Sequence, residues 1–138
     1  MTPAVAIFTG AAGNRLIADV FGEDARAVLL LHGGGQTRHA WRRTAERLAR
    51  AGWTAYALDQ RGHGDSDWVP DGAYGFADFA ADAVAVADAL AARSGERPAV
   101  IGASLGGIAS LLAEGEAERS GRGSVFSVRV PVVDSEGE

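Results

Sequence analysis

The sequence contains no cysteine, which excludes disulfide-stabilised folds, cysteine-ligated zinc sites and cysteine nucleophiles. Lysine is also absent, so all 13 basic residues are arginine, against 18 acidic residues and a net charge of −5. The arginines form no basic run, so no nucleic-acid-binding or anionic-membrane surface is indicated. No apolar stretch approaches the roughly 20 residues of a membrane helix. We therefore expect a protein that binds neither nucleic acid nor membrane.

The amino terminus lacks the basic and apolar segments of a secretory signal, which favours a cytoplasmic location. The chain has 138 residues, enough for one domain with a sizeable core. Hydrophobic residues make up 47% and charged residues 22%, which is ordinary for a globular protein. Glycine is the exception, because its 19 residues are about twice the usual share. So many glycines indicate tight turns or close backbone contacts.

Short apolar runs and helical periodicities alternate along the chain. Two runs around a glycine turn at 10–14 predict a hairpin, and the run 27–31 predicts a strand buried on both faces. A helix over 37–51, a strand over 53–58, an irregular loop over 59–75, a helix over 76–92, a strand over 98–101 and a helix from 105 follow. This order predicts a doubly wound α/β domain with a mostly parallel sheet and an N-terminal hairpin.

The predicted domain occupies residues 1–114. Residues 115–124 are predicted as a polar linker, and 125–138 as an edge strand followed by a frayed tail. In doubly wound sheets, ligands bind at the carboxyl ends of the strands. We expect the loops after residues 31, 58 and 101 to converge there on one site.

The sharpest chemical motif is Gly102-Ala-Ser-Leu-Gly106, at a predicted strand-to-helix junction. A nucleophilic serine at such a junction must lie on a sharp, strained turn that projects its Oγ from the sheet edge. Side chains two residues to either side would collide, which explains glycine at positions 102 and 106. Ser104 is therefore the candidate nucleophile. The alternative is a glycine-rich junction in which the serine only caps the helix.

A second glycine-rich segment, His32-Gly-Gly-Gly35, follows the predicted strand over 27–31. An oxyanion hole needs two N–H donors aimed at one point. Leu105, at the helix start, can supply one, and Gly34 is the candidate for the other. His32 and Gly33 are expected to support the loop, with His32 favoured as a bracing residue over a catalytic base. The alternative for the whole segment is a simple turn.

The third motif, Asp59-Gln-Arg-Gly-His-Gly-Asp-Ser66, combines charges, a histidine and glycines. A catalytic role is one interpretation. We favour an internally hydrogen-bonded turn in which Arg61 pairs with Asp59 or Asp65, so Asp59 and Arg61 are predicted as loop-supporting residues. The sequence has no metal-ligand spacing and no nucleotide-binding glycine motif, so we expect no metal and no cofactor. A phosphate-ligand binder is a weaker alternative.

The three motifs, at 29–35, 59–66 and 102–106, together resemble the front half of an alpha/beta-hydrolase. The likeness extends from the first hairpin to about Glu114. It implies Ser104 as nucleophile, with Gly34 and Leu105 as oxyanion donors. Because the residue at the turn is serine, the chain looks closer to the esterase, lipase and cofactor-free haloperoxidase branches. The epoxide-hydrolase and dehalogenase branches use aspartate there.

The resemblance breaks at the catalytic base. In the family, the acid and the histidine follow the serine. Here His32, His39 and His63 all precede Ser104. Family members are also longer, so we interpret the chain as a truncated hydrolase that is weakly active or inactive by itself.

Three functions therefore remain open. The first is a serine hydrolase acting on a small-molecule ester or similar acyl substrate. The second is perhydrolase or haloperoxidase chemistry, in which peroxide attacks the acyl-enzyme. The third is a non-catalytic remnant or interaction half-domain. An exposed sheet edge and exposed apolar faces would favour self-association or a partner chain, together with marginal stability.

Overall fold

A computed structural model describes residues 1–127 of the chain. Its five strands are β1 (Ala4–Thr9), β2 (Arg15–Phe21), β3 (Ala27–Leu31), β4 (Thr54–Leu58) and β5 (Ala99–Gly102). Its helices are α1 (Arg42–Arg50), α2 (Phe76–Ser94) and α3 (Leu105–Arg119), with a 3₁₀ turn at Arg38–Trp41 before α1. The elements alternate as predicted, and no regular element is assigned between β4 and α2.

The strands form one mixed sheet in the order β1-β2-β4-β3-β5. The hairpin β1–β2 is antiparallel and β2 pairs antiparallel with β4, whereas β4, β3 and β5 run parallel. Parallel neighbours need crossover connections, and the helices supply them. The predicted α/β fold with an N-terminal hairpin is confirmed.

Helices cover both faces of the sheet, and the side chains of β3 pack against helices on both sides. Its side chains alternate, so Val28 and Leu30 belong to the core under α1, while Leu29 and Leu31 belong to the core under α2 and α3. All four are almost completely buried. A strand without polar residues therefore lies in the interior of the sheet, between β4 and β5, as expected for a parallel sheet with helices on both sides.

The end of α3 corrects the predicted domain boundary. The helix continues through Arg119, so the linker predicted over 115–124 is wrong in its first half. Ala113 and Ala117 are buried in the core and make the extra turn of helix favourable. The linker was predicted because this segment is rich in charge, but Glu116, Glu118 and Arg119 lie on the exposed side of the helix.

The segment after α3 also departs from prediction in its described part. Residues 125–127 have no strand structure. The Glu114 carboxylate instead accepts hydrogen bonds from the Val125 and Phe126 amides at 2.8 and 2.6 Å. The rest of the predicted strand over 125–133, and the predicted frayed tail, lie outside the described residues. Within residues 1–127, no helix is long and apolar enough to span a membrane.

Candidate active site

The loops after β3, β4 and β5 meet at one edge of the sheet. Leu31 at the end of β3 pairs with Leu58 of β4 on one side and with Gly102 of β5 on the other. The three strands therefore end at the same level, and the loops that follow them are neighbours. This confirms the expected convergence of the three glycine-rich loops.

Ser104 occupies the turn between β5 and α3 in a strained conformation. Its φ is 53° and its ψ is −114°, and it is the only non-glycine residue with a positive φ within residues 1–127. Such backbone conformations cost about 1–3 kcal/mol and are concentrated at functional sites. The Ser104 side chain is exposed at the sheet edge. The structure thus has the strained turn that a projecting serine requires.

The glycines on either side of Ser104 are dictated by backbone contacts. A Cβ on Gly102 would lie 2.5 Å from the Gly106 carbonyl oxygen, and a Cβ on Gly106 would lie 2.0 Å from the Leu31 carbonyl oxygen. Neither contact can be relieved by moving a flexible side chain. Helix α3 therefore begins directly against the end of β3, which brings Ser104 beside the loop that follows β3.

The amides of residues 33–36 differ in their hydrogen bonding. The Gly33 N–H donates to Gln36 Oε1 at 3.1 Å, the Gln36 N–H donates to the Gly33 carbonyl at 3.1 Å, and the Gly35 N–H donates to His63 Nε2 at 3.0 Å. The Gly34 N–H has no acceptor among residues 1–127. Within residues 33–36, Gly34 is therefore the one residue with an amide available to a ligand.

Leu105 lies beside this available amide. A Cβ built on Gly34 would be 3.9 Å from Leu105 Cδ2, so the two residues are in near contact. Leu105 is the first residue of α3, where an N–H has no partner in the preceding turn. The positive end of the helix dipole lies at the same point. The residue with the unpaired amide therefore contacts the first residue of α3, which directly follows Ser104.

His32 lies beneath the loop and is completely buried. Its Nδ1 is 2.8 Å from the Gly33 carbonyl, and its Nε2 accepts a hydrogen bond from the Gln60 amide at 3.0 Å. Gln60 Nε2 also donates to the His32 carbonyl at 2.7 Å. Burial, the largest influence, lowers the pKa of His32 to about 4. A neutral ring with both nitrogens engaged braces the loop and has no lone pair left for a proton from Ser104.

Asp59 is buried at the start of the loop after β4, and its partner is Arg38. Its carboxylate accepts hydrogen bonds from the Arg38 amide at 2.6 Å, from the Arg38 guanidinium and from the Asp65 amide at 2.9 Å. Arg38 also bonds Asp19 at 3.0 Å and Asp65 at 2.9 Å. Burial alone would lower the pKa of Arg38, but these carboxylates outweigh it and raise that pKa.

Arg61 pairs with neither Asp59 nor Asp65, so that part of the prediction is wrong. Its Nε and Nη2 donate to the two oxygens of Asp82 on α2, at 2.7 and 2.8 Å, and both side chains are buried. Its Nη1 donates to the Ala73 carbonyl at 2.8 Å. Asp59 pairs with Arg38 instead, and Arg61 reaches the carboxylate of α2.

Sequence reasoning missed four residues that hold these loops: Arg38, Gln60, His63 and Asp82. Asp82 could have been suspected, because it is a charged residue three positions after Phe79 in the buried stripe of α2. Arg38 gave no such signal, since it lies in a short 3₁₀ turn whose direction is set by tertiary contacts. His63 and Gln60 lie within a motif that was noticed, but their partners are distant in sequence.

The Ser104 hydroxyl has no hydrogen-bond partner within the part of the chain that the structure describes. His39 is 60% exposed on the 3₁₀ turn, and its nearest acidic group is Asp19, at 3.8 Å. His63 has both ring nitrogens engaged, near Arg61 and Gly35. No group of three or more acidic or histidine side chains in residues 1–127 could hold a metal ion.

Ser104 lies in a strained turn between a parallel strand and a helix, beside the glycine loop that follows β3. This turn and the strand order of the sheet identify the fold as that of the alpha/beta-hydrolases. More narrowly, a family model described as "Serine aminopeptidase, S33" matches residues 22–129. The chain belongs to this family.

Similar proteins include hydrolases that are named for several different activities. The chain is 44% identical over 54 residues to esterase Rv0045c of Mycobacterium tuberculosis, covering 39% of this chain and 17% of the relative. It is 39% identical over 62 residues to monoacylglycerol lipase of Mycolicibacterium smegmatis, covering 43% and 22%. The crystal structure of epoxide hydrolase VrEH1 from Vigna radiata matches with a TM-score of 0.79 at 22% identity, covering 94% of this chain and 39% of that chain. The last likeness shows the fold alone.

The chain spans 32% or less of the length of the curated relatives it matches. The activities of these longer relatives are therefore not assigned to this chain, and its function is proposed from its own site.

Proposed function

We propose that this protein is a serine hydrolase that acts on an ester or similar acyl substrate. Ser104 is the nucleophile, and the Gly34 and Leu105 amides bind the oxyanion. The observation that carries the proposal is the conformation of Ser104, whose positive φ exposes its hydroxyl at the sheet edge. A glycine at position 104 would adopt the same backbone conformation without strain. The strained serine therefore serves a purpose other than forming the turn. The esterase and lipase among the relatives agree with an acyl substrate.

The proposed reaction begins with attack of Ser104 Oγ on the substrate carbonyl carbon. The new C–O bond displaces the carbonyl π electrons onto oxygen, and the resulting negative charge accepts hydrogen bonds from Gly34 and Leu105. Collapse of this intermediate breaks the bond to the alkoxide, which leaves as the alcohol after taking up a proton. Water then hydrolyses the acyl-serine, releasing the acid and restoring Ser104.

Proton transfer limits the rate in this chain. No histidine among residues 1–127 forms a hydrogen bond with Ser104, so the hydroxyl proton passes to solvent water. An oxyanion hole and substrate binding without a complete triad retain about 10³–10⁴-fold catalysis over water. We therefore expect slow hydrolysis of activated esters.

The test is hydrolysis of p-nitrophenyl acetate by the 138-residue chain. The wild type should exceed the buffer rate, and Ser104→Ala should return the rate to background because the nucleophile is lost. Ser120→Ala is the matched control, since this serine at the end of α3 is exposed and its hydroxyl donates only to the Ala117 carbonyl among the described residues. Equal rates for wild type and Ser104→Ala would refute the proposed nucleophile.

A second candidate function is a non-catalytic pairing domain, and one observation favours it. Ile108, Leu111 and Leu112 on α3 are 37%, 45% and 38% exposed. Among the described strands, β5 pairs only with β3, so its other edge has no partner there. An apolar helix face beside an unpaired strand favours self-association or a partner chain.

A further inference from the structure

His63 forms two hydrogen bonds that the proposed chemistry does not use. Its Nδ1 lies 2.9 Å from the Arg61 carbonyl, and its Nε2 lies 3.0 Å from the Gly35 amide nitrogen. A carbonyl can only accept and an amide N–H can only donate. The proton of the ring is therefore on Nδ1, the ring is neutral, and Nε2 is the acceptor for Gly35.

The ring is also held from its sides. Phe79 on α2 meets it in an edge-on arrangement with centroids 6.1 Å apart, and His32 lies at 4.9 Å. Arg61, whose carbonyl orients the ring, is itself fixed by the buried Asp82 of α2. A chain of contacts thus runs from α2 through Arg61 and His63 to Gly35.

The Gly35 amide is next to the amide that binds the oxyanion in the proposed reaction. Gly35 adopts φ +79°, and the space around its Cα is open, so its own backbone does not lock the loop by packing. The hydrogen bond from the Gly35 N–H to His63 Nε2 restrains the position of Gly35 instead. With Gly33 and Gln36 bonded to each other, this bond leaves only the Gly34 N–H unpaired within 33–36.

We propose that His63 is a positioning residue of the oxyanion hole, which holds Gly35 so that the Gly34 N–H points to the reaction centre. The inference rests on the proposed function of Gly34 and goes beyond it by assigning the residue that orients the donor. His63 touches neither the substrate nor Ser104 in this role. It acts on the reaction only through the loop.

The first test is amide hydrogen exchange of the 138-residue chain by NMR. His63→Leu should accelerate exchange at Gly35 about fivefold to tenfold relative to Leu30, the reference amide in the interior strand β3. His63→Gln should recover part of the protection, because the glutamine oxygen can accept from Gly35. His39→Leu removes an exposed histidine and should leave Gly35 unchanged.

An unchanged Gly35 exchange rate in His63→Leu, or a change no larger than that of Leu30, overturns the inference. Neither result depends on catalysis.

The second test is the Ser104-dependent hydrolysis of p-nitrophenyl acetate. Because an oxyanion donor acts in the transition state, His63→Leu should lower kcat about tenfold with little change in KM, and His63→Gln should restore part of it. A wild type without Ser104-dependent hydrolysis would overturn the proposed function. A normal kcat in His63→Leu would overturn the positioning role.

Discussion

The Arg61–Asp82 pair fixes the loop after β4 to helix α2. Both side chains are buried and joined by two hydrogen bonds, and the Asp82 carboxylate also accepts from the Ala11 amide at 2.9 Å in the hairpin turn. The bond to Asp82, the largest influence, raises the pKa of Arg61 and keeps it charged. One ion pair thus ties the hairpin, the loop and the helix together behind the site.

His32 should make folding stability depend on pH. Its pKa is about 4 in the folded chain against an ordinary value of 6.5, so the unfolded chain binds the proton more tightly. The stabilisation is fully present above about pH 6.5 and is lost as the pH falls to about 4. The loss should approach about 3 kcal/mol of the free energy of unfolding.

Urea unfolding at a series of pH values measures this dependence. His32→Gln should flatten the slope between pH 4 and 6.5, since glutamine does not titrate. The matched control is His39→Gln, whose histidine is exposed and should leave the slope unchanged. A slope that survives in His32→Gln would show that other groups carry the pH dependence.

Backbone geometry was predictable where it depends on a fixed local pattern. The strained turn at Ser104 and its need for flanking glycines could be predicted from sequence, because the turn is built from adjacent residues. The partner of Arg61 could not, because two nearby carboxylates competed with Asp82, which is distant in sequence and close only in the fold. Local turns are encoded locally, whereas buried ion pairs depend on packing.

At the scale of elements, the contact between α3 and the end of β3 is the tightest in the site. Gly106→Ala should lower the free energy of unfolding by about 1–3 kcal/mol, because its Cβ would lie 2.0 Å from the Leu31 carbonyl oxygen. The contact is with backbone, so relief requires the whole helix to move. Urea denaturation monitored by circular dichroism measures the change.

Gly115→Ala is the matched control on the same helix. Its Cβ would lie 3.9 Å from the nearest atom, which belongs to the flexible Arg119 side chain. Alanine there should raise the free energy of unfolding by about 0.5–1 kcal/mol through its higher helix propensity. Destabilisation of similar size at both positions would contradict the close approach of α3 to β3.

The elements themselves were largely predictable, and their ends less so. A continuous apolar run identified β3, because a strand buried on both faces has few polar residues. The end of α3 was missed, because buried alanines at 113 and 117 continue the helix among charged residues. Alanine gives a weak hydrophobic signal, although it packs well between a helix and a sheet.

For the whole molecule, the exposed face of α3 should promote association. Ile108, Leu111 and Leu112 lie at helical spacing and form one apolar patch. We expect the chain to bind a hydrophobic dye such as ANS and to elute as species larger than a monomer at high concentration. Light scattering after gel filtration measures the second effect.

Leu111→Glu should reduce both dye binding and association by placing a charge in the middle of this patch. Val5→Glu makes the same change at another exposed apolar side chain, on β1, and should have a smaller effect. A monomeric wild type with a sharp unfolding transition and no dye binding would argue against the pairing surface.

The central claim is that Ser104 is the nucleophile, and covalent labelling with a fluorophosphonate tests it most directly. One adduct per chain should form at Ser104, with fragment-ion spectra separating it from the buried Ser110 nearby. Ser120→Ala should label like the wild type, and Ser104→Ala should not label. An adduct that persists in Ser104→Ala, or no adduct in the wild type, would contradict the assignment.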